Sequence, residues 1–407
     1  MLSNYFQRAL LGLEWKLYAR RWRQPVFGVH ASPETGRKAL FVYLTHPFHL
    51  RKNHPAFRQH QNLQQARLIA EALGEFGYAV DVIDFRDRTF HPSHHYDLVL
   101  SHRVEYAGLE NALGPDTLKI YLSSGTNHRV RNRNYRRRLD YQRQRRECHL
   151  PVLIWDEEEM PFLKIADALA GFGSQRVMET WRESFAGPAY AFPNYGVMEG
   201  EPPKRDYEEA RRHFLFFGSR QQVAKGLDLL LEAFARQPTL HLHVCGRYID
   251  EPEFRACYDR ELFHTSNIHP WGWVDIGGAR FRKLVRQCAW VVLPSCSEGS
   301  PGSVTNAMSA GLVPVLTHEA GIEVEGFGFY FENDRVETVE RRVVELAGLP
   351  QETVAACSER TRVNARERFS VAAFRARWRE ILSDIHRQFG RATAPGADQS
   401  RGAMPAR

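Results

Sequence analysis

The chain has 407 residues, 43% of them hydrophobic, and a formal net charge of +7; that length exceeds one comfortable core and predicts two ordinary globular domains. Its six cysteines (Cys148, Cys245, Cys257, Cys288, Cys296, Cys357) include no CxxC pair, so neither a disulfide framework nor a zinc site is expected and the composition predicts a reducing, cytoplasmic setting. No apolar run approaches the ~20 residues that span a bilayer, and Arg8, Glu14, Lys16 and Arg20 interrupt the N-terminus where a signal peptide needs an unbroken apolar core.

Residues 1–37 mix Leu10, Leu11, Trp15, Tyr18 and Trp22 with Arg8, Lys16, Arg20, Arg21 and Arg23. This extension reads either as a basic amphipathic helix on anionic lipid or as a segment packed on the body of the protein. From residue 39, apolar strands at 40–44, 79–83, 97–100, 119–122 and 166–171 alternate with helical stretches such as 60–76. That alternation predicts a parallel sheet covered on both faces, over residues 38–198. Thr45-His46-Pro47, after the first strand, reads as a loop facing a cleft. Between Arg129 and Arg146 lie nine arginines and one aspartate. The run reads as a solvated helix face, or as a surface for a membrane or an anionic acceptor. No nucleic-acid module accompanies it, so nucleic acid is not an expected partner. The four acids Asp156 to Glu159 read as a solvated turn.

Residues 192–194 and 199–205 read as an interdomain linker. A second βα series fills 199–370, with strands at 213–217, 240–245, 268–273, 290–293, 314–317 and 328–331. A helix over 371–389 follows, and the tail 390–407 holds too few apolar residues to fold. The fold class expected is α/β, two doubly wound Rossmann-like domains facing a central cleft.

Two stretches carry the chemistry. Residues 214–232 read FLFFGSRQQVAKGLDLLLE: a buried strand, then Arg220 and Lys225 at the entry to a helix. A bidentate guanidinium and a point-charge ammonium there suit a diphosphate. Residues 294–314 read PSCSEGSPGSVTNAMSAGLVP, a small-residue loop and a helix N-terminus, whose amides and dipole favour phosphate. The acid in that loop, Glu298, would repel phosphate and is better suited to sugar hydroxyls. His102 and His128 fall at strand carboxyl ends, where they could reach a substrate.

These two stretches, about 70 residues apart, resemble signature regions of GT-B glycosyltransferases, specifically the retaining family 4 (group 1) enzymes. Residues 240–246, HPWGWV (269–274) and FSVAAFRARW (369–378) resemble further elements of that family, the last a helix crossing back to the N-terminal domain. The likeness covers residues 211–385 well and 39–194 only as a general pattern. It implies transfer of a sugar from a nucleotide-diphosphate donor with retention of configuration and no bound metal or other cofactor, while the basic N-terminus and the arginine run suggest an anionic or membrane-associated acceptor, a glycan or lipid-linked saccharide of cell-surface polysaccharide synthesis met at the inner face of the membrane. It assigns Arg220 and Lys225 to the departing diphosphate, Glu298 to the donor sugar, the amides of Ser303 and Val304 to phosphate or sugar, and His128 and His102 to the sugar or acceptor. Asn306 stands where the family's second motif Glu contacts ribose. Being neutral, it takes a hydroxyl pair less well, which keeps open a non-catalytic GT-B binding protein. A sugar-nucleotide epimerase is the other alternative. The absence of an Asp-x-Asp motif agrees with a metal-free site.

Overall fold

A computed structural model of the chain describes residues 22–389 except 32–35, 52–53, 55, 60, 104–107, 153–159 and 199–202. Most of the N-terminal extension, the acids at 156–159 and the C-terminal tail therefore lie outside the described residues.

The first sheet contains β1 (Val26–Val29), β2 (Arg37–Tyr43), β3 (Tyr78–Asp84), β4 (Tyr96–Ser101), β5 (Leu113–Ser123), β6 (Ala168–Phe172) and β7 (Ala189–Phe192). Its order is β1-β3-β2-β4-β5-β6-β7, parallel throughout except β1, which runs antiparallel to β3. Both faces are covered, so strand interiors such as Ala39–Val42 are fully buried and read as continuous apolar runs rather than alternating ones. The second sheet contains β8 (His213–Phe217), β9 (His241–Cys245), β10 (Ile268–Gly272), β11 (Trp290–Leu293), β12 (Val313–Leu316) and β13 (Phe329–Tyr330), in the order β10-β9-β8-β11-β12-β13. Each sheet reverses its strand order once, between β2 and β4 in the first and between β8 and β11 in the second. In doubly wound sheets these switch points open the ligand crevice at the strand carboxyl ends.

Seven helices matter below: α1 (Gln61–Glu75), α2 (His128–Arg145), α3 (Leu227–Ala235), α4 (Gly302–Ser309), α5 (Val336–Ala347), α6 (Gln351–Arg368) and α7 (Val371–Phe389). Phe374, Trp378, Ile381, Leu382 and Ile385 of α7 sit in the core of the first domain, so the end of the chain ties the two domains together. The described end of the N-terminal extension packs on the body: Trp22 is buried and stacks on His46 at 4.1 Å. Thr45 and His46 are buried at the start of a short helix, His46–His49. The cleft-facing loop expected at Thr45-His46-Pro47 is therefore corrected to a packed one.

The arginine run departs furthest from its sequence reading. Helix α2 leaves the first sheet after β5 and lies against the second domain, with Tyr135 and Leu139 in that domain's core. Arg138, fully buried, donates to Asp334 at 3.2 Å and lies 4.0 Å from Asp228. Arg145 binds Asp228 at 2.7 Å and Glu232 at 3.0 Å, and Arg146 meets Glu261 at 2.5 Å. One face of the run is thus an interdomain clasp, because guanidinium groups buried without carboxylates would be prohibitively costly. The cysteine expectation is also corrected: Cys148, just beyond α2, forms a disulfide with Cys257 of the second domain, 109 residues away.

At the opposite end of the second sheet from its crevice, four histidines form a ladder. His213 pairs with His241 across β8 and β9, and His243 with His269 across β9 and β10; the rings stack at 4.5–5.3 Å. The Trp271 indole N–H donates to His243 Nδ1 at 3.1 Å, so neutral His243 carries its proton on Nε2 and donates to His213 Nδ1 at 2.9 Å. A second proton on His243 would oppose the indole N–H. Burial, reinforced by His269, His213, His241 and Lys283, pushes its pKa down to about 2; Glu209, 3.1 Å from His213, is the acid nearest the ladder's start. The folded state therefore stays unprotonated while the unfolded chain protonates below about 6.5. Stability is full above that value and falls as pH drops through it. His243 alone is expected to remove about 1.4 kcal/mol per pH unit below pH 6.5. Urea midpoints measured across this range check it, and His243→Gln should flatten the slope.

Candidate functional site

Because β8 and β11 are neighbours, the loops that follow them lie side by side. The first runs from Gly218 to the N-cap of α3 at Gly226, and the second from Pro294 to the N-cap of α4 at Pro301. Backbone bonds stitch them together: Cys296 N–H donates to Ala224 O at 2.8 Å, and Ser295 Oγ to the same carbonyl at 3.1 Å. Gly226 has φ 77°, and a Cβ there would sit 2.7 Å from Pro294 Cγ with the Pro294 carbonyl closer still. Each loop also holds a non-glycine residue in the left-handed region, Gln221 (φ 65°) and Ser300 (φ 56°), a costly conformation kept where the surroundings impose it.

This geometry brings Lys225 and Glu298 together: Lys225 Nζ forms an ion pair with Glu298 Oε1. The side chains are 13% and 20% exposed, shielded enough for their charges to act at higher strength than in bulk water. The pair sits between two cavities of about 360 and 530 Å³ that share Ser124, Ser219, Lys225, Glu298 and Gly299 as lining, both within the range of small-ligand sites. Tyr43, Gln61, Gln65, Phe172 and Asn194 of the first domain close the smaller one against Phe217, the 273–276 loop and residues 298–303. His128, Arg131, Arg220 and Glu251 line the larger. Such a cleft, with a cation and an acid at its centre and polar amides around it, can hold a charged diphosphate and a polyhydroxyl group together.

Of the residues singled out from the sequence, Arg220, Lys225, Glu298, His128 and Ser303 line one or both cavities. Arg220 is 65% exposed and 3.5 Å from Asp250, so solvent screens it. Three others line neither cavity. His102 lines neither cavity: its Nδ1 meets Leu122 O at 2.8 Å, its ring lies edge-on to Tyr43 and Phe85, and burial pushes its pKa down. Val304 is buried and its N–H donates to Pro301 O at 3.0 Å. Asn306 is buried on the side of α4 that faces the linker, accepting from Val197 N–H at 2.8 Å and donating to Gly302 O at 2.6 Å. Asn306 thus ties the interdomain linker to α4.

Sequence reasoning missed the contribution of α2. Arg131 donates to Gln221 Oε1 at 2.5 Å, Asn134 to Cys296 O at 3.0 Å, and Arg138 to Pro294 O at 2.9 Å and Val223 O at 3.5 Å. Thr126, just before the helix, donates to Glu298 O at 2.9 Å. Spacings of three and four place these residues on one helical face, and that face holds both loops. Glu251 was also missed; it accepts from the Gln221 and Gln222 amides at 2.5 and 3.1 Å. No local motif marks any of them.

The domains also meet backbone to backbone at Gly125 and Gly299. A Cβ on Gly299 would lie 2.6 Å from Ser124 O and 2.8 Å from Phe172 O, against the backbone of Gly125. No flexible side chain can yield there. Gly299→Ala is expected to cost about 1–3 kcal/mol by overpacking and to pry the loop from the first domain, read as a lower urea midpoint together with weaker nucleotide binding.

The family profile described as Glycosyl transferases group 1 matches residues 211–348. A search of curated proteins by sequence finds no match. Among solved structures, sucrose-phosphate synthase from Thermosynechococcus elongatus is similar at 14% identity over 88% of this chain and 100% of that one, with a TM-score of 0.56. HepE from Anabaena, solved in complex with UDP and glucose, is similar at 13% identity over 86% and 100%, with a TM-score of 0.54. At those identities the likeness speaks for fold, and it matches the two facing parallel sheets described above. Residues 211–348 thus match a group 1 glycosyltransferase model, and the chain as a whole has the GT-B fold.

Proposed function

We propose that this protein transfers a hexosyl group from a nucleotide-diphosphate sugar to a glycan or lipid-linked saccharide of cell-surface polysaccharide synthesis, with retention of configuration, as a family 4-like enzyme. The observation that carries the reading is the Lys225–Glu298 pair at the switch point of the second sheet, shared by both cavities. In the reaction the bond between the anomeric carbon and the diphosphate oxygen breaks, the acceptor oxygen takes that carbon, and the acceptor's proton passes to the departing diphosphate oxygen. Lys225 and Arg220 stabilise the negative charge gathering on the diphosphate, the largest kind of contribution a fixed site makes. Glu298 holds sugar hydroxyls, Ser303 borders the donor, and His128 lies where an acceptor hydroxyl would enter. No metal or other cofactor takes part in this scheme. The protein would act in the cytoplasm, at the inner face of the membrane when its acceptor is lipid-linked. The HepE complexes with UDP and with UDP-glucose make uridine donors the first to try.

The test incubates purified protein with UDP-, GDP- and ADP-sugars, with and without saccharide acceptors, in the presence of EDTA, and follows nucleoside-diphosphate release and product anomer. Release from one donor with a retained anomer is the expected result. An epimerised donor would support epimerisation instead, and no turnover of any donor despite nucleotide binding would support a binding protein.

A further inference from the structure

The solvent side of α2 carries Arg129, Arg133, Arg136 and Arg137, all exposed, with Arg137 also reaching Asp334 of the clasp at 3.1 Å. Helical spacing places them in one stripe, about 12 Å from first to last. With Arg335 of the second domain, whose guanidinium lies 4.2 Å from the Tyr141 ring centre, they wall a groove of about 600 Å³. Its lining holds five arginines and one acid, Asp140, which is already 3.2 Å from Arg143. The groove and the larger cavity both reach the first turn of α2: Arg129 lines one, His128 and Arg131 the other.

We propose that this groove binds the acidic backbone of an anionic saccharide chain, the acceptor, and leads its end to the Lys225–Glu298 cleft. The proposal rests on the glycosyl-transfer reading above. Planar guanidinium forks match carboxylate and phosphate groups. A single exposed contact is worth little and is screened beyond about 8 Å at physiological salt, so a lone anion engages only part of the stripe. An extended polyanion engages all of it. A membrane is the poorer occupant, because a lipid-lying helix needs apolar side chains to insert and the groove's lining offers only half-buried Tyr141. Nucleic acid is poorer too, since single strands call for exposed aromatic faces on which bases stack.

The test titrates the full chain with polygalacturonate, dextran sulfate and neutral dextran, and repeats it with Arg129→Ala/Arg133→Ala. Both substituted side chains are exposed, so the fold is not at stake. Wild type should bind the acidic polymers and not dextran, with affinity falling linearly in log salt, and the double variant should lose at least about tenfold. Nucleotide-induced thermal stabilisation should be the same in both proteins, which separates failure of this groove from failure of the donor-site reading. The proposal is overturned by failure to bind either acidic polymer, or by equal affinity in the variant. It is also overturned if vesicles of phosphatidylglycerol and phosphatidylcholine, or a single-stranded oligonucleotide, bind more tightly than the acidic polymers and lose more in the variant.

Discussion

Lys225→Ala is expected to slow release of the sugar from its nucleotide-diphosphate donor by about 10²–10³ in kcat. The departing diphosphate gains charge in the transition state, and Lys225 is the shielded cation on the lining of both cavities. Arg220, exposed and beside Asp250, works through solvent, so Arg220→Ala should cost only about tenfold. Glu298→Gln should separate binding from turnover. It releases Lys225 from its ion pair, so a nucleoside diphosphate binds at least as tightly as to wild type, while sugar transfer falls because the hydroxyls lose their charged acceptor. Rates of nucleoside-diphosphate release and calorimetric titration of the three variants check these outcomes. A Lys225→Ala protein that turned over at the wild-type rate would remove this residue from the site.

The second large effect is expected at Arg138, which lines neither cavity of the site. Its guanidinium bonds Pro294 O and Val223 O, one in each site loop, and neutralises Asp334 and Asp228 behind them. Burial pushes the Asp228 carboxyl up, against Arg138 and Arg145, while Asp334 is held low by Arg138 and Arg137 despite its burial. Arg138→Leu leaves both acids short of a partner and is expected to destabilise by about 3–5 kcal/mol. Arg138→Lys keeps the charge but cannot reach two carbonyls and a carboxylate with one ammonium. Its expected result is a modest loss in urea midpoint with nucleotide affinity lowered about tenfold. A purely structural role predicts instead that affinity follows stability, with Arg138→Lys binding nucleotide as wild type does.

The parts of the fold that could be read from sequence are those where burial writes a continuous apolar run. FLFF at 214–217 and WVVL at 290–293 are such runs, closed by Gly218 and Pro294, and as adjacent parallel strands they bring their loops together. The pairing of Lys225 with Glu298 follows from that adjacency. Helix α2 was unreadable for the opposite reason. Its buried face is made largely of Asn132, Arg138 and Gln142, which look like solvent-facing residues until partners elsewhere in the chain are in place, Asp228 and Asp334 for Arg138 and the Cys148 and Cys257 sulfurs for Gln142. The same holds for Cys148 and Cys257, whose separation of 109 residues leaves no spacing to recognise. Asn306 shows a further limit: a motif position fixes where a residue falls on α4, but which side of that helix meets the linker is set by tertiary packing against Tyr195 and Val197.

The cleft around Lys225 and Glu298 is expected to receive a nucleotide diphosphate. Thermal unfolding in the presence of UDP, GDP, ADP and their sugars tests it most directly, because a ligand that binds only the folded state raises its stability. One base should give a clear upward shift of Tm, Lys225→Ala should lose the shift, and Glu298→Gln should keep it for the free diphosphate. A wild-type protein whose Tm moves with none of these ligands, or a Lys225→Ala protein that shifts as fully as wild type, would contradict it.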